Sequence, residues 1–180
     1  MKIVIIIQAR MGSTRLPGKS MIEIKGRPLI WHVFDRLSVL PHPKVLATTS
    51  NRGDDVLAAY AAGQGIAVYR GSEEDVLARY YEAAKQVQAD VIVRVTGDCP
   101  LIDPHIVRKV IEALKEGIDY ASNTLERSYP RGLDVEVFPF KVLEAAYQEA
   151  KEPSEREHVT PYIYRHPERF KLFNVRHSSD

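Results

Sequence analysis

The chain opens on an apolar run from Lys2 to Ile7, almost wholly β-branched, that reads as a strand buried on both faces, the usual state of a strand inside a parallel sheet. A polar, glycine-containing loop follows from Gln8 to Lys19. Helical spacing takes over near Pro28–Val39, where Leu29, Ile30, Val33, Phe34 and Leu37 share a face and Pro28 suits the first turn. Strand and helix then alternate. Val45–Thr49, Ile66–Tyr69 and Val91–Val95 read as strands; between them lie helices over Asp54–Ala62, closed by Gly63 and Gly65, and over Glu73–Gln86. Asp103 caps a helix over Pro104–Lys115 with Gly117 beyond its end. Tyr120–Ser122 and Leu133–Phe138 read as strands flanking a loop, Phe140–Ala150 and Ser154–Tyr164 as helices, and Lys171–Val175 as a closing strand. Such alternation predicts a single-domain α/β fold, residues 1–180, with a doubly wound, mostly parallel (mixed) sheet flanked by helices.

Composition narrows the function. With 25 Lys and Arg against 24 Asp and Glu in 180 residues, the chain has neither the basic surplus of a nucleic-acid binder nor the charge of a disordered one. The early apolar run is too short for a signal peptide core or a membrane span, so a cytoplasmic protein with no membrane partner is expected. Cys99 is the lone cysteine, and none of the six histidines stands at zinc-like spacing to it or to another histidine. Charge is placed unevenly, however: Lys2, Arg10, Arg15 and Lys19 precede the first acid, Glu23. That distribution points to a compact anionic ligand.

The loop from Gln8 to Lys19 leaves the C-terminal end of the first strand, where open α/β sheets bind ligands. Gly12 and Gly18 allow close backbone approach to a phosphate, and Arg10, Arg15 and Lys19 supply charge-assisted donors. Gly18-Lys19-Ser20 matches the end of a Walker A loop, but Gly12 stands one residue too far from Gly18, and Gly26 and Pro28 interrupt the helix such a loop needs. Asp98 follows the strand Val91–Val95 after a glycine turn, where a carboxylate can hold Mg²⁺ on a triphosphate or close an Asx turn. Asp103, before Pro104, is a helix cap.

Arg70, Gly71 and Ser72 lie where a strand gives way to a helix. Ser72 with Asp75 reads as a capping box, and the turn could also face a ribose or phosphate. Ser50 or Asn51 caps the helix after Thr49, although the Thr48–Asn51 turn could also meet a base edge. Asp134 and Glu136 alternate across Val135, which puts both on one face, for a sugar or metal or for an ion pair with Arg131. Ser154 and Glu157 form a further capping box, leaving Arg156 and His158 as candidates for an anionic substrate or a subunit contact. No catalytic triad or nucleophile elbow is visible, so covalent catalysis has no support.

Together Ile7–Lys19, Gly97–Asp103, Tyr129–Phe138 and Glu157–Pro161 resemble the spore-coat polysaccharide cytidylyltransferase family, a branch similar to the CMP-KDO and CMP-sialic acid synthetases. The resemblance covers essentially the whole chain and implies a nucleotide-diphospho-sugar transferase-like fold and a homodimer. It also implies transfer of CMP from CTP to a sugar acid, with release of pyrophosphate, for surface polysaccharide biosynthesis. By that likeness the backbone of Ala9 and Arg10 contacts cytosine and Gln8 and Gly12 belong to the nucleotide loop. Arg10, Ser13, Arg15 and Lys19 hold the triphosphate, Asp98 ligates Mg²⁺, and Arg70–Ser72 lie near the ribose. Relatives carry a D-T-P-E-D-like segment beyond the position of Asp180 whose first aspartate completes the metal site. No such motif occurs here, and Asp134 or Glu136 is the expected substitute. The alternatives are a nucleotide-binding subunit or remnant without turnover, and a nucleotidyltransferase using another base.

Overall fold

Alternate residues of the first strand serve two different cores. In the computed structural model, which describes residues 1–14 and 16–177, β1 (Ile3–Gln8) sends Ile5 and Ile7 to one side and Val4 and Ile6 to the other. A small hairpin, β2 (Glu23–Ile24) and β3 (Arg27–Pro28), precedes α1 (Leu29–Ser38). Then come β4 (Lys44–Thr49), α2 (Asp55–Gly63), β5 (Ala67–Gly71), α3 (Val76–Gln86), β6 (Val91–Thr96) and α4 (Pro104–Ala113). The chain closes with β7 (Tyr120–Ser122), β8 (Glu136–Pro139), α5 (Phe140–Glu149), α6 (Pro153–His158), α7 (Pro161–Tyr164) and β9 (Leu172–Asn174).

The main sheet runs β5-β4-β1-β6-β8-β7-β9. β1 pairs in parallel with β4 and β6, whereas β8 is antiparallel to both β6 and β7, so the expected mixed, mostly parallel sheet is present. One core packs Ile7, Val93 and Val95 against Ile30, Phe34 and Leu37 of α1 and Val107 and Val110 of α4. The other packs Val4, Ile6 and Ile92 against Leu77, Tyr80 and Ala84 of α3 and Leu143 and Ala146 of α5. From β1 the chain builds outward through β4 and β5, then returns across the sheet to β6. The C-terminal ends of β1 and β6 therefore flank a topological switch point, and Gln8 and Thr96 stand there in register. Among the described residues no helix is long and apolar enough to cross a membrane.

Several local expectations are corrected. α3 starts at Val76 rather than Glu73: Asp75 is the cap, accepting the Ala78 N–H at 2.9 Å, and Ser72 only takes the Asp75 N–H at 3.0 Å. Ser154 and Glu157 are not a capping box either. Pro153 occupies the first helical position, so the cap moves ahead of it, and Glu152 and Glu155 make the reciprocal bonds. The expected helix over Ser154–Tyr164 is two short ones, broken at Val159. This buried residue has φ 73° and ψ −56°, and the Thr160 N–H donates to the His158 carbonyl at 2.9 Å, a strained γ-turn for a β-branched side chain. Pro161 then starts α7. Asn51 precedes a 3-10 turn with no side-chain capping bond, and its amide donates instead to Glu73.

Candidate active site

Two adjoining depressions open at the switch point. The smaller, about 240 Å³, is lined by the loop residues Gln8, Ala9, Arg10, Ser13, Thr14, Lys19 and Ser20 with Thr96, Gly97 and Asp98. The larger, about 870 Å³, runs from Gln8, Arg10, Thr96 and Asp98 past Arg94 to the start of α3 and to Arg156 and His158 on α6. The two share Gln8, Arg10, Thr96 and Asp98.

The loop after β1 is fixed from below. Its Met11 N–H donates to Asp54 Oδ1 at 2.6 Å, its Gly18 N–H folds back to the Met11 carbonyl at 2.9 Å, and Ser20 Oγ donates to the Arg10 carbonyl at 3.2 Å. Gly18 has φ 72°, a left-handed conformation glycine adopts without strain. On the facing turn, a Cβ on Gly97 would come within 2.7 Å of Ala9 Cβ, so only glycine lets the two strand ends lie this close. Arg15 lies outside the described residues.

Both described cations of the loop meet acids across the site. Arg10 Nη1 donates to Glu73 Oε1 at 2.6 Å, and Lys19 Nζ to Asp98 Oδ2 at 2.8 Å. Burial pushes the Asp98 carboxyl up, but hydrogen bonds from Lys19 and Thr96 pull it the other way and prevail, so it lies below its ordinary 3.8. Asp98 is therefore ionised at neutral pH with a cation already against it. A depressed carboxyl contributes stability that is present above its unfolded value and lost as pH falls through the folded one. Lys19→Ala is expected to raise the Asp98 value in a carbon-detected NMR titration and to narrow that acid-side window. An unmoved titration would mean that Thr96 and the backbone set it.

Beside the loop, Arg94 reaches across the sheet to Glu136. The Arg94 guanidinium donates to Glu136 Oε2 and, through Nη2, to Gln8 Oε1 at 3.3 Å, and it lies 5.6 Å above the Tyr80 ring. The other oxygen of Glu136 accepts from Tyr120 and, at 2.6 Å, from Thr160 Oγ1. Burial lowers the Arg94 pKa, but Glu136 outweighs that and moves it upward; burial, then Glu136, raises Tyr120 well above its usual value. The Arg94 guanidinium thus stays charged, and the network holds Gln8 at the cleft.

The remaining candidates are placed as follows. Leu133, Val135 and Val137 pack against one core, so Asp134 and Glu136 alternate to the other side as expected, but they take different partners: Asp134 is gripped by Arg127, not Arg131, through two bonds of 2.8 Å, and Glu136 by Arg94. Arg70 is drawn to the end of β4, donating to the Thr49 and Asn51 carbonyls at 2.9 and 2.8 Å and pairing with Asp55 at 2.7 Å. The Gly71 carbonyl accepts from the Ser50 N–H at 2.9 Å, and the Ser72 carbonyl from Arg79 at 2.7 Å. Arg156 faces the cleft but is saturated: Nε donates to Asp75 Oδ2 at 3.1 Å, Nη1 to the Tyr147 carbonyl at 2.7 Å, and the group sits 5.0 Å over the Tyr147 ring. His158 is exposed at the rim. Asp103 caps α4 as expected, taking the His105 N–H at 2.7 Å.

Sequence reasoning missed Asp54, Glu73, Arg79 and Arg94. Only Arg94 left a signal, an arginine inside an apolar strand, which needs a buried counter-charge. For Mg²⁺ the described residues bring no three candidate ligands together, and Asp98 stands as a single ionised carboxylate. That suits Mg²⁺, which keeps its waters and binds through one or two carboxylates together with substrate phosphates.

A cation-lined loop at the switch point of a mixed α/β sheet lies where such sheets bind ligands and offers charged donors to an anion. The cytidylyltransferase family model matches residues 4–179, and the chain belongs to that family. It is 43% identical over 176 residues to an uncharacterized protein of Methanocaldococcus jannaschii, covering 96% of this chain and 71% of that one. The spore coat polysaccharide biosynthesis protein SpsF of Bacillus subtilis is 37% identical over 178 residues, 94% of this chain and 73% of the relative. The 3-deoxy-manno-octulosonate cytidylyltransferase of Brucella ovis is 38% identical over 122 residues, 65% of this chain and 48% of that protein. Among solved structures, a cytidylyltransferase from Leptospira borgpetersenii superposes with a TM-score of 0.95 at 38% identity, covering all of this chain and 78% of that one. A CMP-2-keto-3-deoxy-manno-octonic acid synthetase shares the fold, with a TM-score of 0.76 at 21% identity, over 99% of this chain and 91% of that one.

Proposed function

We propose that this chain transfers CMP from CTP to a hydroxyl of a sugar acid and releases pyrophosphate, with Mg²⁺ bound at Asp98. The observation that supports the reading is the Lys19–Asp98 pair at the mouth of the loop, a cation able to donate to phosphate and a carboxylate able to ligate a metal, 2.8 Å apart. In this reading the backbone of Ala9 and Arg10 meets cytosine. Ser13 and the side chains of Arg10, Arg15 and Lys19 bind the triphosphate, and Gln8, steadied by Arg94, borders both ligands. Bound Mg²⁺ would neutralise the phosphates and make the α-phosphorus more electrophilic.

The acceptor oxygen forms its bond to the α-phosphorus as the bond to the departing pyrophosphate breaks. What the protein supplies is alignment and charge rather than a nucleophile. The sugar acid is the class acted on by the Brucella relative, and polysaccharide biosynthesis is the role in the name of the Bacillus one.

The test is a thermal-shift panel of CTP, UTP, ATP and GTP, each with and without Mg²⁺. At about 100 times Kd a ligand adds about 2.7 kcal/mol, which raises the midpoint by roughly 5–11 °C in a domain of this size. A rise with CTP alone, enlarged by Mg²⁺, supports the reading. A larger rise with another nucleotide, or none with any, overturns it. Lys19→Ala is expected to weaken CTP binding by about 1.5–3 kcal/mol, roughly 10- to 150-fold, as loss of a charge-assisted bond to phosphate. Unchanged affinity in a titration would remove Lys19 from the phosphate site.

A further inference from the structure

Val159 holds a conformation that a β-branched side chain resists, φ 73° and ψ −56°, at a fully buried position. The turn it makes ends α6, whose Arg156, Glu157 and His158 line the larger cleft, and sends the next side chain inward. There Thr160, 2% exposed, donates its hydroxyl to Glu136 Oε1 at 2.6 Å. Strain of this kind persists where the surrounding contacts require it, and what this turn delivers is one hydroxyl on one buried carboxylate.

From Glu136 the contacts run in a row across three adjacent strands. Glu136 of β8 stands in register with Arg94 of β6, and Arg94 reaches Gln8 at the end of β1. Arg94 Nε is left buried without a partner, so the guanidinium is placed for its two Nη contacts rather than for full pairing. An arginine has only donors, so the end of the Gln8 amide that meets it is the carbonyl oxygen, and Nε2 with its two hydrogens turns away from Arg94 toward the cleft. Gln8, Arg10, Thr96 and Asp98 form the seam shared by the two depressions. Arg10 is engaged with Glu73, Asp98 with Lys19, and the Thr96 hydroxyl with Cys99 Sγ at 3.2 Å. Among the described residues Gln8 Nε2 donates to none, which makes it the available donor of the seam.

We infer that Thr160 is a positioning residue for nucleotidyl transfer: through Glu136 and Arg94 it fixes the direction of the Gln8 amide, whose Nε2 donates to a non-bridging oxygen of the CTP α-phosphate. The inference rests on the proposed function. The group that passes from nucleotide to acceptor must touch both, and the seam is common to both depressions. Charge on that group shifts as the acceptor oxygen bonds to the α-phosphorus and pyrophosphate leaves, and a donor already oriented meets it without reorganising. A free carboxamide presents either end, and its oxygen would repel a phosphate; the donors of Arg94 exclude that orientation. Arg94 has one position because Thr160 and Tyr120 hold the carboxylate it pairs with.

The experiment follows the Gln8 side-chain amide of the whole chain by ¹H–¹⁵N NMR, assigned with Gln8→Ala, as CTP and Mg²⁺ are added. Alongside, pyrophosphate release is measured with 3-deoxy-manno-octulosonate as acceptor, well below the unfolding midpoint of each variant. In the parent, CTP is expected to move the Gln8 amide protons. Gln8→Ala should cut kcat by about 10²-fold, as loss of one oriented donor, while CTP affinity falls no more than about fivefold, as loss of one neutral hydrogen bond. Thr160→Val keeps the shape and loses the hydroxyl. Its CTP-induced shift at Gln8 should fall to roughly half or less and its kcat by about tenfold or more, with KM for CTP within about fivefold. Thr160→Ser should bring both back to within about twofold of the parent.

A Thr160→Val protein with a lowered midpoint but the Gln8 response and kcat of the parent would leave Thr160 a structural role only and overturn the inference. So would a Thr160→Ser protein no better than Thr160→Val. A parent that CTP stabilises while its Gln8 amide stays still overturns the inference with the nucleotide reading intact. Failure of that reading shows separately, as a parent with no thermal response to CTP, and it removes this inference with it. The resonance needs no acceptor, so it decides whichever sugar acid the cleft takes.

Discussion

Asp98→Asn is expected to slow CMP transfer by about 10²–10³-fold or more while making CTP bind more tightly in the absence of Mg²⁺. The two effects have opposite signs because, on the proposed reading, Asp98 has two partners at different times. Without ligand its Oδ2 neutralises Lys19 Nζ at 2.8 Å, and in the working complex it is assigned to the metal. Asparagine releases Lys19 for the triphosphate. The pair is partly solvated, 29% and 46% exposed, so the gain in Mg²⁺-free affinity is modest, up to about fivefold from an interaction of about 0.2–1 kcal/mol. On the proposed reading the same substitution removes the metal ligand, so the Mg²⁺-dependent enlargement of the CTP response and the turnover should vanish together. Calorimetric titration with and without Mg²⁺, alongside pyrophosphate release, checks both. A variant that keeps its Mg²⁺ response shows that another residue holds the metal.

Glu136→Gln carries the largest expected effect on stability. It leaves the Arg94 guanidinium facing a neutral amide between Tyr80, Tyr120 and Gln8, and breaking a buried pair from one side costs about 3–5 kcal/mol. At about 2–4 °C per kcal/mol for a domain of this size, the midpoint should fall by roughly 6–20 °C. Removing both charges together, as Arg94→Met with Glu136→Gln, should restore much of that loss, because no charge is then left buried alone. The double variant should still bind CTP less well than the parent, since Gln8 loses the guanidinium that orients its amide. Urea denaturation of the four proteins closes the cycle. A loss below about 1 kcal/mol for Glu136→Gln would mean that water reaches the pair.

The sheet was legible because its signals are local. The β-branched run of β1, the helical spacing of α1 and the glycines closing α2 each lie within about a dozen residues, and the strand–helix alternation then points to a mostly parallel sheet, though not to its strand order. The loop and Asp98 were legible for a similar reason, as composition at strand ends. Side-chain pairing was not. Met11 leans on Asp54 and Arg10 on Glu73, 43 and 63 residues away, and nothing in periodicity links such positions. Arg70 shows the converse, an arginine at the right strand end whose donors are consumed by the neighbouring strand's carbonyls and Asp55. The caps of α3 and α6 depart from the serine signals at Ser72 and Ser154 because Asp75 and the proline after Glu152 decide the start.

One carboxylate ties two walls of the cleft to each other. Asp75 Oδ1 holds the Ala78 amide and Oδ2 holds Arg156, so α6 cannot swing away without disturbing the first turn of α3. Deuterium uptake at the Ala78 amide is therefore an expected reporter on the cleft. Where Asp75 turns away with Arg156 the amide is exposed, so its uptake is expected to fall when a ligand bridges the walls, a residue-level readout of opening that needs no label on the nucleotide or the acceptor.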